Sequence, residues 1–183
     1  MNGDPKVGED CDGRQVGVQI VSNRTFHFGY YAARMRLPTT QSVCSTIFTY
    51  KKYNEGKISE IDIEIPAEHD QFHKARLNTW RSECEETGVT RADKELLGGA
   101  PINDGGFHEL GFDWRPTRVD YYCDGKFIHS NVNHVPQDPA HLMLAAWFAP
   151  WARPPPPHNE ADFDQDRLLI EWIEAPQDHT IVQ

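Results

Sequence analysis

The chain predicts an all-β fold, a sandwich or barrel of antiparallel strands. Short runs rich in β-branched and aromatic residues recur along its length. Pro and Gly, 13 of each, are scattered between those runs as turn signals and not gathered into a linker. Few segments carry the apolar spacing of a helix. At 183 residues the chain fits one domain over 1–183, long enough to bury a core without staples.

Taken in order, residues 17–21 are the first strand candidate. Residues 30–37 (YYAARMRL) put Tyr31, Ala33 and Met35 on one face. Residues 45–51 (STIFTYK) have strong β propensity. Residues 59–65 (SEIDIEI) alternate strictly, and 76–80 (RLNTW) follow. Residues 107–114 (FHELGFDW) lead into 117–123 (TRVDYYC); Asp124-Gly125 is a tight-turn signal, with 126–130 returning as a hairpin. Residues 141–148 and 164–175 close the series. Residues 68–77 are the main helical candidate. There His69-x-x-x-His73 would share one face at metal-site spacing. No third ligand is evident, and an exposed loop or strand edge is the better reading. Residues 152–158 (ARPPPPH) fit neither helix interior nor central strand, so they predict a stiff surface loop.

The net charge of -10 opposes nucleic-acid binding, which relies on Lys and Arg to neutralise phosphates. It equally disfavours an acidic polymer, unless a local basic patch intervenes, and points to a neutral ligand. No run of 18 apolar residues exists to span a membrane. The opening MNGDPKVGEDCDG is polar and acidic, so no signal peptide is expected in it. The cysteines at 11, 44, 84 and 123 match no zinc spacing; Cys44 and Cys123 sit in strand-like runs as candidate buried thiols. Asn23-Arg24-Thr25 is a glycosylation sequon, relevant only to a secreted chain. Oligomeric state is not readable. No G-x-S-x-G, P-loop or G-x-G-x-x-G appears, which argues against a serine hydrolase or a nucleotide enzyme.

The chemistry concentrates in EIDIEI. As a strand it puts Glu60, Asp62 and Glu64 on one face and Ile61, Ile63 and Ile65 on the other. At ~3.3 Å per residue the outer Cα atoms lie ~13 Å apart, and inward-leaning side chains bring the carboxyls to roughly 5–6 Å. A retaining glycosidase needs ~5–5.5 Å between its two carboxyls. Three carboxylates so close repel, so at least one should hold its proton near neutral pH, as a general acid must. The same pattern also suits a solvated acidic strand or a calcium site.

The flanks narrow the choice. Ser59-EIDIEI-Pro66 preceded by STIFTYK, then FHELGFDW with Arg115-Pro116 and VDYYCDG at 119–125, resembles glycoside hydrolase family 16, the family of lichenases and laminarinases. Phe28-Gly29-Tyr30-Tyr31 with Ala33-Arg34-Met35 is similar to that family's G-x-Y-E-x-R-M strand, and 168–175 to its closing strand. The resemblance covers residues 16–175, about.

It implies a concanavalin A-like jelly-roll β-sandwich with a glycan cleft across one sheet. It implies endo-acting, retaining hydrolysis of β-1,3- or β-1,3-1,4-glucans, with Glu60 as nucleophile, Asp62 as its tuning partner and Glu64 as acid/base. The regular E-x-D-x-E is the lichenase-like form; laminarinase-like members carry a bulged E-x-D-x-x-E. Trp80, Trp147, Tyr50 and Phe48 sit where the family places cleft aromatics, with Trp151 as a further candidate; core packing is an equal reading for Phe48. Trp114 goes to the core, beside His108. Gln19, Val21 and Ala145 stand where lichenases have a cleft Glu, an Arg and an Asn. The short stretch before Phe28 implies that some of the family's N-terminal strands are missing. No cofactor is required; a structural calcium opposite the cleft is implied for some relatives, with Glu171 as a contributor. Extracellular location is implied too. Two alternatives stand beside hydrolysis: transglycosylation in the same family, and a lectin-like domain that binds glycan without turnover. The intact E-I-D-I-E favours an enzyme.

Overall fold

A computed structural model describes residues 17–39, 43–66, 72–83, 86–148 and 167–177. In chain order its strands are β1 (Val18–Phe26), β2 (Gly29–Arg36), β3 (Val43–Lys52), β4 (Ile58–Ile65), β5 (Lys74–Glu83), β6 (Glu86–Glu95), β7 (His108–Arg115), β8 (Arg118–Cys123), β9 (Lys126–Asn131), β10 (Ala140–Phe148) and β11 (Leu169–Glu174). They form a six-stranded sheet, β1-β10-β3-β4-β5-β6, and a five-stranded sheet, β11-β2-β7-β8-β9. Every neighbouring pair is antiparallel. This is the predicted jelly-roll sandwich.

One core lies between the sheets. The six-stranded sheet contributes Ile47, Ile61, Ile63, Leu77 and Leu144; the other contributes Tyr31, Phe112, Trp114 and Tyr121. Tyr31 stacks on Phe112 with ring centroids 4.9 Å apart. Tyr121 spans the core: its hydroxyl donates to the Asn78 carbonyl of β5 at 2.7 Å. Alternation on β4 therefore works as a sorting device. Its isoleucines are sealed in this core, so its carboxylates must face the other way.

The hairpin signal holds: Asp124 and Gly125 take φ of +48° and +69° between paired Cys123 and Lys126. Such φ values suit a two-residue hairpin turn and explain the glycine. Cys44 and Cys123 are buried free thiols, as expected.

Several expectations change. β1 continues to Phe26 through an irregularity between Val21 and Thr25, with Asn23 exposed there. The helical reading of residues 68–77 fails from Lys74 onward, where β5 begins; His69 lies outside the described residues, so the two-histidine spacing gains no support. β6 has no counterpart in the sequence reading, because an edge hairpin strand of mostly polar residues shows no apolar alternation. Trp114 is fully buried, but its imidazole neighbour is His27, at 5.3 Å. His108 shares its strand six residues away, ~20 Å along a β-strand, and is held instead by Asp104 and Asp124. Residues 152–158, Trp151, Cys11 and Cys84 lie outside the described residues, as do residues 1–16, where the expectation of missing strands falls.

Replacing Ile63 by Ala should lower unfolding free energy by about 2–5 kcal/mol, since it leaves a void at a fully buried site. Urea unfolding of both proteins measures it; a loss under about 0.5 kcal/mol would contradict the burial, because surface changes stay within that range.

Candidate active site

Register builds the site. On the face of the six-stranded sheet away from the core, Glu60 is flanked by Tyr50 of β3 and Trp80 of β5. Asp62 is flanked by Phe48 and Asn78, and Glu64 by Thr46 and Arg76. β6 adds Arg91 opposite Asn78 and Asp93 opposite Arg76. On the other side, β10 and β1 place Ala145 and Gln19 in the row of Thr46. Cross-strand neighbours share a face, so these rows form one continuous floor.

Two adjoining pockets, of about 370 and 500 Å³, meet over Glu60, Asp62, Glu64 and Trp147. One extends toward β1, over Phe48, Ala145 and Gln19. The other extends toward β6, over Asn78, Trp80, Arg76 and Arg91. Together they make a groove running across the strands with the carboxylates midway.

The carboxylates are held by specific donors. Trp80 Nε1 donates to Asp62 Oδ2 at 3.1 Å, and Asn78 Nδ2 donates to Glu64 Oε2 at 3.0 Å. Arg91 Nε donates to Asn78 Oδ1 at 3.2 Å, and Arg76 Nε to Asp93 Oδ1 at 3.3 Å. Thr46 Oγ1 is buried on the floor beside Glu64 with no partner among the described residues.

Burial dominates the electrostatics. It pushes Glu60 up to about 7, aided by the charge of Glu64 and opposed by a hydrogen bond with Asp62. Asp62 is raised well above the usual carboxylate range by burial and by both neighbouring glutamates. Its hydrogen bonds from Asn78 and Trp80 act against that rise. Glu64 is raised by burial, against the Asn78 amide and the cations of Arg76 and Arg91. The centre thus retains protons near neutral pH and can both donate and accept them.

The structure brings together Glu60, Asp62, Glu64, Phe48, Trp80, Trp147 and Gln19 as groove residues. Phe48 lines the groove and is not part of the core between the sheets. Tyr50 stands on the same face, beside Glu60. Trp151 lies outside the described residues. Sequence reasoning missed Thr46, Arg76, Asn78 and Arg91. Alternation from Trp80 would have found Arg76 and Asn78; Arg91 had no signal, because its place depends on the β5–β6 register. Glu171, the proposed calcium contributor, accepts from Arg34 Nε at 2.6 Å. Among the described residues no group of three or more His, Cys, Asp or Glu side chains is placed to hold a metal ion.

Comparison with known proteins agrees with this geometry. The family model described as glycosyl hydrolases family 16 matches residues 8–174. A β-glucanase of Acetivibrio thermocellus is 31% identical over 127 residues, 69% of this chain and 36% of that protein. A xylanase/β-glucanase of Ruminococcus flavefaciens is 28% identical over 139 residues, 75% of this chain and 16% of that protein. The chain therefore spans well under half the length of these curated relatives. The solved structure of a Bacillus licheniformis β-glucanase superposes with a TM-score of 0.60 at 25% identity, covering 71% of this chain and 57% of that one.

The Glu60 shift carries a stability consequence. Its folded pKa of about 7 exceeds the ordinary 4.5, so folding opposes ionisation. The penalty is absent below pH 4.5, grows as pH rises, and is complete above about pH 7. Glu60→Gln should therefore raise stability above pH 7, by no more than about 3 kcal/mol, and give no gain at pH 4. Thermal unfolding of both proteins from pH 4 to 9 tests this; a gain independent of pH would refute the buried-charge origin.

Proposed function

The chain belongs to glycosyl hydrolases family 16, and we propose that it is an endo-acting retaining glycosidase of neutral β-1,3- or β-1,3-1,4-glucans. The observation that carries this is the set of three carboxylates on one strand, Asp62 buried and Glu60 and Glu64 half-buried beside it, midway along an open groove. The names of the β-glucanase relatives support the substrate class.

In this reading the glucan lies across the strands, so that an internal bond meets β4. Glu60 attacks the anomeric carbon as the bond to the departing oxygen breaks. Glu64 gives that oxygen its proton, and a covalent glycosyl-enzyme forms. Glu64, now ionised, takes a proton from water, and the water oxygen displaces Glu60. Two inversions give net retention. Asp62 holds its proton because burial and the charges of Glu60 and Glu64 disfavour its ionised form, and its hydrogen bond to Glu60 favours the ionised nucleophile. Trp80 fixes Asp62 through its indole N–H and offers its ring to a sugar face. Trp147, Phe48 and Tyr50 supply further apolar faces, and Gln19 a polar contact toward β1.

Glu60→Gln should abolish release of reducing ends from barley mixed-linkage glucan while glucan binding persists. Full activity in that variant would eliminate the mechanism. A panel of mixed-linkage glucan, laminarin, xyloglucan and agarose identifies the bond cut. Binding without products from any polymer supports a lectin-like domain, and elongation of short oligosaccharides supports transglycosylation.

A further inference from the structure

Asn78 is almost fully buried, and its backbone is anchored through the core by the Tyr121 hydroxyl. The main chain at this position is thereby fixed. What remains free is the amide end, which can present either its NH₂ or its oxygen to the groove. One presentation donates to Glu64; the other could only accept from it. Arg91, reaching over from β6, carries donors and no acceptor. Its Nε occupies Asn78 Oδ1 at 3.2 Å, leaving Nδ2 to donate to Glu64 Oε2 at 3.0 Å.

We propose that Arg91 is a positioning residue for Glu64, orienting the Asn78 amide so that it holds the Glu64 carboxyl in place and stabilises its ionised form. This rests on the reading of Glu64 as acid/base. Glu64 must give up a proton in one step and regain it in the next, so a carboxyl held too strongly in its neutral form would be a poor acid. Burial pushes toward that state, and the Arg91–Asn78 relay opposes it. The charged and titratable groups around Glu64 divide by element. β4 itself brings Asp62 and Glu60, β3 brings Cys44, β5 brings Arg76, and β6 brings Asp93 beside Arg91. Arg76 is engaged by Asp93, whereas Arg91 contacts the amide that touches Glu64.

The test compares two substrates. One is a short β-glucan oligosaccharide, whose sugar leaving group needs protonation. The other is the matching 2,4-dinitrophenyl glycoside, whose leaving group departs without it. Arg91→Ala, at an exposed edge position where folding is not endangered, should lower kcat/KM on the oligosaccharide by about ten- to a hundredfold, part of what a general acid supplies. The loss on the dinitrophenyl glycoside should be at least about tenfold smaller, because that reaction bypasses the acid. The pH limb present only with the oligosaccharide belongs to Glu64, and it should move to higher pH in Arg91→Ala. Arg91→Lys keeps the charge and should return the limb toward its original position with part of the rate. Equal losses on both substrates, or an unmoved limb, would overturn the inference while leaving the glycosidase reading intact. A wild-type protein inert on both substrates, with its fold confirmed by circular dichroism, would overturn that reading and this inference together.

Discussion

The register of β4 is the constraint on which the rest of the site depends. The strand sits inside the six-stranded sheet with Ile61, Ile63 and Ile65 sealed against the second sheet. A slip of one residue would drive three carboxylates into that core and expose three isoleucines. The hydrophobic face therefore fixes where the acidic face must be. Flanking strands then inherit their alignment from it, so Tyr50, Trp80, Phe48, Asn78, Thr46 and Arg76 fall beside particular carboxylates.

Such a fixed face is electrostatically uncomfortable. Three carboxylates, one buried and two half-buried, repel one another and lose hydration, so the site trades stability for proton-holding capacity. The surroundings moderate that cost unevenly. Asp62 receives the indole N–H of Trp80, and Glu64 receives an amide N–H and lies near two guanidinium groups. The three groups thus sit in different environments despite sharing a strand. That difference lets neighbouring carboxyl groups of similar intrinsic acidity hold their protons differently.

The second sheet contributes more than a hydrophobic backing. Tyr121 reaches through the core to the Asn78 carbonyl, and Asn131 Nδ2 reaches the Leu77 carbonyl at 3.4 Å. These contacts pin β5 from behind at Leu77 and Asn78, the second of which lines the groove. At the outer edge of the six-stranded sheet, β1 exposes Val18, Ile20 and Val21. Gln19 on that strand faces the groove, so the edge also borders the site.

The sequence by itself determined the strand class, the hairpin at Asp124-Gly125 and the two faces of EIDIEI. Each of these follows from local chemistry: side-chain alternation, a positive-φ turn and β-branched content. It also marked Trp80, Trp147 and Gln19 through family resemblance, and the groove contains all three. Residues 74–77 left a helical reading open beside a loop or strand edge, and β5 takes the strand. Only the tertiary structure decided that Phe48 faces the groove, and that the polar segment 86–95 is a strand. Only it brought Arg91 to Asn78 and Asn78 to Glu64. Those residues are separated in sequence and meet through strand register, and a polar edge strand carries no periodic signal of its own register.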